Sequence, residues 1–392
     1  MASRAPMPVM ILFMIFLPRT DPFGPLDSAC GRLPACVNCR GLVTRRLDAT
    51  GRSGVARRQR YDVRDRRSVM RFAPPRINPP GLWRRVPPAI FPPLLGALGL
   101  ALAWRAATAR FGLPQGLSGM MMGMAVAAWV FATLAYGGKL ARRPAVLAEE
   151  LRILPGRAGI AAALVGIYVA AQLLAPFAPA LARVVLIAGM AAQAVFWAVA
   201  IPVMARTPGQ GRVTPVWQLT FVGPIVAAQA AAGFGWLGLA QALWWPMAAI
   251  AGFVWTVSLY QALTERLPAP LRPLLMIHLA PIAMLGNVAA ALGWQDVALG
   301  LAWATAAALA LAALRLRWLV EAGFSPLWGA FTFPLAATAG LWTAVSGFAS
   351  GWSLPAQILL VAASLVVLPI LFRVWRAWAS GRLAMKTNAA IA

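Results

Sequence analysis

From Ala89 onward the chain is a succession of apolar runs, each about 20 residues long and closed by Arg, Pro or Gly. A helix of that length rises about 30 Å, the thickness of a bilayer's hydrocarbon layer. Lipid offers no partner to a free N–H or C=O, so such a run crosses as an α-helix with its backbone bonded internally. Ten spans are legible, at about 89–109, 118–138, 157–175, 181–204, 214–235, 238–262, 272–293, 295–318, 325–348 and 354–378. The expected fold class is an all-α polytopic membrane protein. A mean hydropathy of +0.73, with 61% hydrophobic and 11% charged residues, excludes an ordinary soluble domain.

The formal charge of +25 suggests a nucleic-acid binder until its distribution is read. Residues up to Arg85 carry 17 Lys and Arg against 5 Asp and Glu, and the remainder carries 18 against 5. In the second part the bases sit between apolar runs, which sets topology and leaves no basic folded face for nucleic acid. Lys139, Arg142, Arg143, Arg152 and Arg157 follow the second span, and later alternate loops hold Arg206 and Arg212, Arg266 and Arg272, and Arg315 and Arg317. Arg373, Arg376, Arg382 and Lys386 end the chain, whereas the other side has only Arg105, Arg110 and Arg183. The asymmetry predicts both termini in the cytoplasm and an even number of spans.

Residues 1–80 differ in composition and read as a disordered, basic arm, with Met70 as an alternative start. Its one apolar run, Met7 to Leu17, is too short to cross. All three cysteines, Cys30, Cys36 and Cys39, lie there, and the Cys36/Cys39 pair lacks the second pair of ligands that zinc requires. No metal or cofactor is therefore expected. The acids beyond Arg85 are Glu149, Glu150, Glu265, Asp296 and Glu321, all near span ends. Without paired acids or a nucleophile in the spans, neither an enzyme nor a proton relay is expected.

Prolines separate the odd spans from the even ones. Spans five, seven and nine hold Gly223-Pro224, Ala280-Pro281 and Phe333-Pro334, spaced by 57 and 53 residues, and span one has Pro92-Pro93. Span three has no mid-span proline, while the even spans six and ten have Pro246 and Pro369. A mid-span proline frees a carbonyl that lipid cannot satisfy, so these spans belong inside a bundle or along a watery cavity. Five helical hairpins around a central pore, odd helices inward, is the architecture predicted. Of the residues before the three prolines, Gly223 and Ala280 are small and Phe333 is large. If all three face one axis, the ring either plugs the gap or is ordinary packing, and the residues alone leave both readings open. His278, the one histidine, is likewise either a functional intramembrane group or a structural hydrogen-bonding one.

Span one reads Phe91-Pro-Pro-Leu-Leu-Gly96-Ala-Leu-Gly99, then Ala103-Trp104-Arg105. The loop after span two has Val146-Leu147-Ala148-Glu149, and span five opens Thr214-Pro215. Span seven has Leu279-Ala280-Pro281, span nine has Trp328 and Phe331-Thr332-Phe333-Pro334, and Gly381-Arg382-Leu383 follows span ten. In order and spacing, over about residues 86–385, these residues resemble the tellurite-resistance/dicarboxylate transporter family, which includes bacterial TehA proteins, plant slow anion channels, and fungal malate permeases and sulfite exporters. The resemblance implies a homotrimer in a bacterial inner membrane, each protomer with its own pore plugged by a phenylalanine of span nine, here Phe333. The pore-lining candidates are Phe91, Gly96, Gly223, Pro224, His278, Ala280, Pro281, Thr332 and Pro334. Arg84, Arg85, Arg105 and Arg272 are the candidate mouth charges. The implied function is a gated channel or efflux route for small anions. The alternative is a coupled carrier of the same fold for C4-dicarboxylates, sulfite or tellurite.

Overall fold

The computed structural model describes residues 81, 83–207, 209 and 211–392. The N-terminal arm, its cysteines and Met70 lie outside them.

The described residues form helices and no strand. α1 is Phe91–Phe111, α2 Gln115–Arg142, α3 Val146–Leu151, α4 Leu154–Leu174 and α5 Pro179–Arg206. Next come α6 Val216–Phe221, α7 Ile225–Gly233, α8 Leu237–Thr264, α9 Leu279–Ala291, α10 Gln295–Leu314 and the single turn α11 Leu316–Leu319. α12 Gly329–Val345, α13 Ser353–Ala379 and α14 Arg382–Lys386 complete the chain. Eight of these segments are long and apolar enough to cross a membrane. The other two of the ten expected spans take another form. The fifth is split into α6 and α7, and the ninth is a 3₁₀ turn, Pro326–Trp328, leading into the 17-residue α12. Span seven crosses as a 3₁₀ stretch, Ala269–His278, followed by α9.

Proline by itself does not decide where a span breaks, because α5, α8 and α13 run unbroken through Pro202, Pro246 and Pro369. The split in span five is supported from outside. Pro224 cannot donate to the Thr220 carbonyl four residues earlier, and Trp197 Nε1 (2.8 Å) and Gln193 Nε2 (3.4 Å) of α5 donate to it instead. Span seven changes from 3₁₀ to α at Leu279, ahead of Pro281, and α12 runs unbroken through Pro334. Pro92 and Pro93 lie in the first turn of α1, where a missing N–H costs nothing.

The odd spans close a ring: α12 packs on α1, α1 on α4, α4 on α6 and α7, α7 on α9, and α9 on α12. Each even span lies outside its odd partner, α2 on α1, α5 on α4, α8 on α7, α10 on α9 and α13 on α12. Burial follows the same division. Windows of spans one, three and seven are 72–83% buried and those of the even spans 28–44%. Leu134, Ile187, Trp245, Trp303 and Leu365, all on even spans, point outward.

Burying apolar surface does not drive helices together in lipid, so polar contacts between helices carry more of the association. Four indole N–H groups join successive hairpins: Trp104 to Ser364 Oγ (2.9 Å), Trp197 to the Thr220 carbonyl, Trp244 to the Leu285 carbonyl (3.0 Å) and Trp342 to Thr305 Oγ1 (2.9 Å). The junction between α2 and α4 is different. There Lys139 of α2 pairs with Glu150 of α3, both side chains fully buried, and Tyr136 Oη donates to the same carboxylate at 2.6 Å. Burial pushes the Glu150 carboxyl above the usual carboxylate range, against the pull of Lys139 and Tyr136. Lys139 also donates to the Val86 carbonyl (2.8 Å), Arg143 to that of Ile391 (2.8 Å), and the Ala392 amide to that of Arg84 (2.9 Å). The C-terminal tail is thereby tied to the start of α1, on what is called here the tail face.

Candidate functional site

Three cavities follow one another along the axis of the ring. On the tail-face side, one of about 60 Å³ is lined by Pro92, Ala158, Leu274, Ala280, Phe333 and Pro334, among others. A second, of about 30 Å³, holds Gly223, Ala280, Pro281, Met284, Val226 and again Phe333. The third, about 330 Å³ toward the opposite face, is bounded by Gly99, Ala103, Gln229, Asn287, Ala337 and once more Phe333. Phe333 thus borders all three, and the three residues that precede the mid-span prolines, Gly223, Ala280 and Phe333, meet around the middle one. Among the described residues, no acid, base or histidine lines any of the three.

The ring seats on a glycine. A methyl group on Gly99 would stand 2.9 Å from Phe333 Cδ2, so only the bare backbone of α1 leaves the ring its place. Gly96, one turn earlier, serves another purpose, since a methyl there would lie 2.2 Å from Thr332 Cβ. It lets α1 and α12 approach closely, as small residues do between membrane helices. Thr332 is fully buried and donates to the Gly329 carbonyl (2.7 Å) and the Pro92 carbonyl (3.2 Å).

Of the nine pore-lining candidates, Gly223, Ala280, Pro281 and Pro334 line these cavities. The other five lie elsewhere around the axis. Phe91 turns outward and meets Tyr136 edge-on at 5.8 Å. Gly96 and Thr332 form the α1–α12 seam, and Pro224 caps α7 without reaching a cavity wall. His278 is fully buried beside the axis but lines none of the cavities, and neither ring nitrogen has a partner among the described residues. Residue type and spacing select a span, whereas a 100° turn per residue decides which neighbour reaches the axis.

The mouth candidates also divide. Arg105 Nη1 donates to the Gln172 carbonyl at the end of α4 (2.7 Å), near the rim of the largest cavity, where Ala106 lies. Arg110, not selected from the sequence, does the same for Ser346 at the end of α12 (2.7 Å to its carbonyl). Arg272 is engaged elsewhere: it pairs with Glu321 and lies 4.5 Å from the Trp318 ring. Arg84 and Arg85 sit in the exposed turn before α1. The sequence reading missed Gly99, Gln229 and Asn287 as wall residues; the repeat of Gly96 and Gly99 on one face of span one was the available signal.

The two glycines make a paired prediction. Gly99→Ala pushes only against a side chain, so it is expected to reach the membrane in normal yield and to raise resting anion flux severalfold by displacing the ring. Gly96→Ala presses on the Thr332 backbone as well, 3.0 Å away, and is expected to lose about 1–3 kcal/mol and folded yield. Flux in liposomes and detergent-stable yield read the two effects, and similar behaviour of the variants would contradict the assignment.

A comparison with curated proteins finds no match. Residues 85–374 match the family model SLAC1, described as a voltage-dependent anion channel. That match covers α1 to most of α13, every helix of the ring and its surround, and the chain belongs to the SLAC1 family of voltage-dependent anion channels.

Proposed function

We propose that the protein is a gated channel in a bacterial plasma membrane, passing small anions along the axis of the five odd spans with Phe333 as the plug. One observation carries this reading: the Phe333 ring borders the tail-face cavity, the middle cavity and the 330 Å³ vestibule alike. An apolar constriction of this kind stops ions by excluding water, and a ring bordered by cavities has room to swing aside. Arg105 and Arg110 supply a positive field at the vestibule rim, which raises local anion concentration. Among the described residues the cavities are lined by no titratable side chain, which favours passive flow over coupling through a proton-exchanging group of the protein. No catalysis is assigned. Protomers assemble as trimers in this proposal, each with its own path, and chemical crosslinking in the membrane should end at a three-protomer species.

Flux in liposomes tests the function. Chloride, nitrate, sulfite, tellurite and C4-dicarboxylate anions are offered under an imposed membrane potential without a pH gradient. Potential-driven flux is expected. Movement only with a proton gradient replaces the channel with the coupled carrier, and absence of any flux overturns both. Topology is tested separately: a tag after Ala392 should be cytoplasmic, and a cysteine placed at Gly112 should react with impermeant reagent from the other side.

A further inference from the structure

Among the described residues, seventeen line the vestibule beyond Phe333, and of these only Gln229 and Asn287 have polar side chains. The two amides stand differently. Asn287 Nδ2 donates to the Ala283 carbonyl (2.8 Å) in its own helix and to the Ala337 carbonyl (3.0 Å) in α12, which uses both of its protons. Reversing the amide would set its oxygen against two carbonyl oxygens, so the orientation is determined. Oδ1 accepts from no group among the described residues and faces Gly340, where a methyl group would stand 3.6 Å from it. It is a fixed acceptor on the vestibule wall. The Gln229 amide has no bond among the described residues and is half-buried, free to turn its N–H groups toward a charge.

An anion in this chamber meets one donor that can follow it and one acceptor that cannot move. A halide, or an oxyanion with no hydrogen, gains from Gln229 but is repelled by the negative end of the Asn287 carbonyl dipole. An oxyanion that still carries a hydroxyl satisfies both groups: its charged oxygen accepts from Gln229 and its O–H donates to Asn287 Oδ1. Building on the anion-channel reading above, we propose that Asn287 and Gln229 form a selectivity pair favouring monoanionic oxyanions that retain a hydroxyl over anions that have none. The backbone of Gly340 keeps the acceptor uncovered.

Hydrogen carbonate and nitrate make a matched pair of probes, both planar with four heavy atoms and differing in the hydroxyl proton. Reversal potentials of the full chain in planar bilayers give the hydrogen carbonate to nitrate permeability ratio, with nitrate to chloride as the control for pore size. Gly340→Ala covers Oδ1 without breaking either Asn287 bond, and its ratio is expected to fall about fivefold, what one ordinary hydrogen bond supplies, with nitrate to chloride unchanged. Asn287→Leu should give the same fall, and Gln229→Leu should reduce both currents with the ratio retained. An unchanged ratio in Gly340→Ala overturns the proposal even if Asn287→Leu fails to fold. A wild-type protein that passes no anion overturns the channel reading itself and this pair with it, whereas wild-type currents whose ratio ignores both Gly340→Ala and Asn287→Leu overturn the pair alone.

Discussion

Phe333→Ala is expected to raise resting anion conductance more than about tenfold while leaving folded yield nearly intact, as removal of a hydrophobic constriction should. Truncating the ring is expected to join the tail-face cavity, the small middle cavity and the vestibule, each of which it borders. A phenylalanine held in a close-packed core behaves in the opposite way, because loss of its contacts costs about 3–5 kcal/mol and lowers yield. Exposure does not distinguish the cases: Phe333 is 7% exposed and Phe331 6%. Their surroundings do. Phe331 lies two positions earlier, about 200° around the helix, lines none of the three cavities and packs at 5.9 Å on the Trp328 ring. Phe331→Ala is thus expected to destabilise without opening the path. Equal conductance from the two variants, or a Phe333→Ala protein that is unstable and closed, would remove the gate and leave the ring of helices standing.

The second large effect is expected at the buried ion pair. Lys139→Met or Glu150→Leu leaves its partner unpaired and out of reach of water, and loss of one member of such a pair typically costs about 3–5 kcal/mol. The double variant removes both charges and is expected to regain most of the loss, since replacing a whole buried pair by apolar groups is often neutral. Thermal unfolding of the detergent-solubilised protein measures the three variants. Because Lys139 also holds the Val86 carbonyl and the Arg143 side chain holds the C-terminal tail nearby, the single variants should also expose residues 387–392 to carboxypeptidase. Single variants as stable as the parent would mean that the pair is hydrated.

The membrane class, the approximate position of the eight segments long and apolar enough to cross, and the separation of inner from outer helices were legible in the order of residues. Each rests on a local rule that acts on one segment at a time. Bilayer thickness sets the length of an apolar run, lipid leaves the backbone no option but the helix, and the carbonyl freed by a mid-span proline favours a place inside the bundle. Even there the rule is incomplete, since Pro202, Pro246 and Pro369 sit in outward-facing helices. What only the tertiary structure decided is which atom of each span meets which neighbour. Gly96 and Gly99 have the same residue type three positions apart, yet one admits the Thr332 side chain and the other the Phe333 ring. Trp197 and Thr220 are 23 residues apart, Asn287 and Ala337 are 50, and Lys139 and Glu150 lie on opposite sides of a turn. Contacts of this kind depend on the rotation of one helix about its axis relative to another. No property of either helix alone contains that angle, and it is set only when all five hairpins close the ring together.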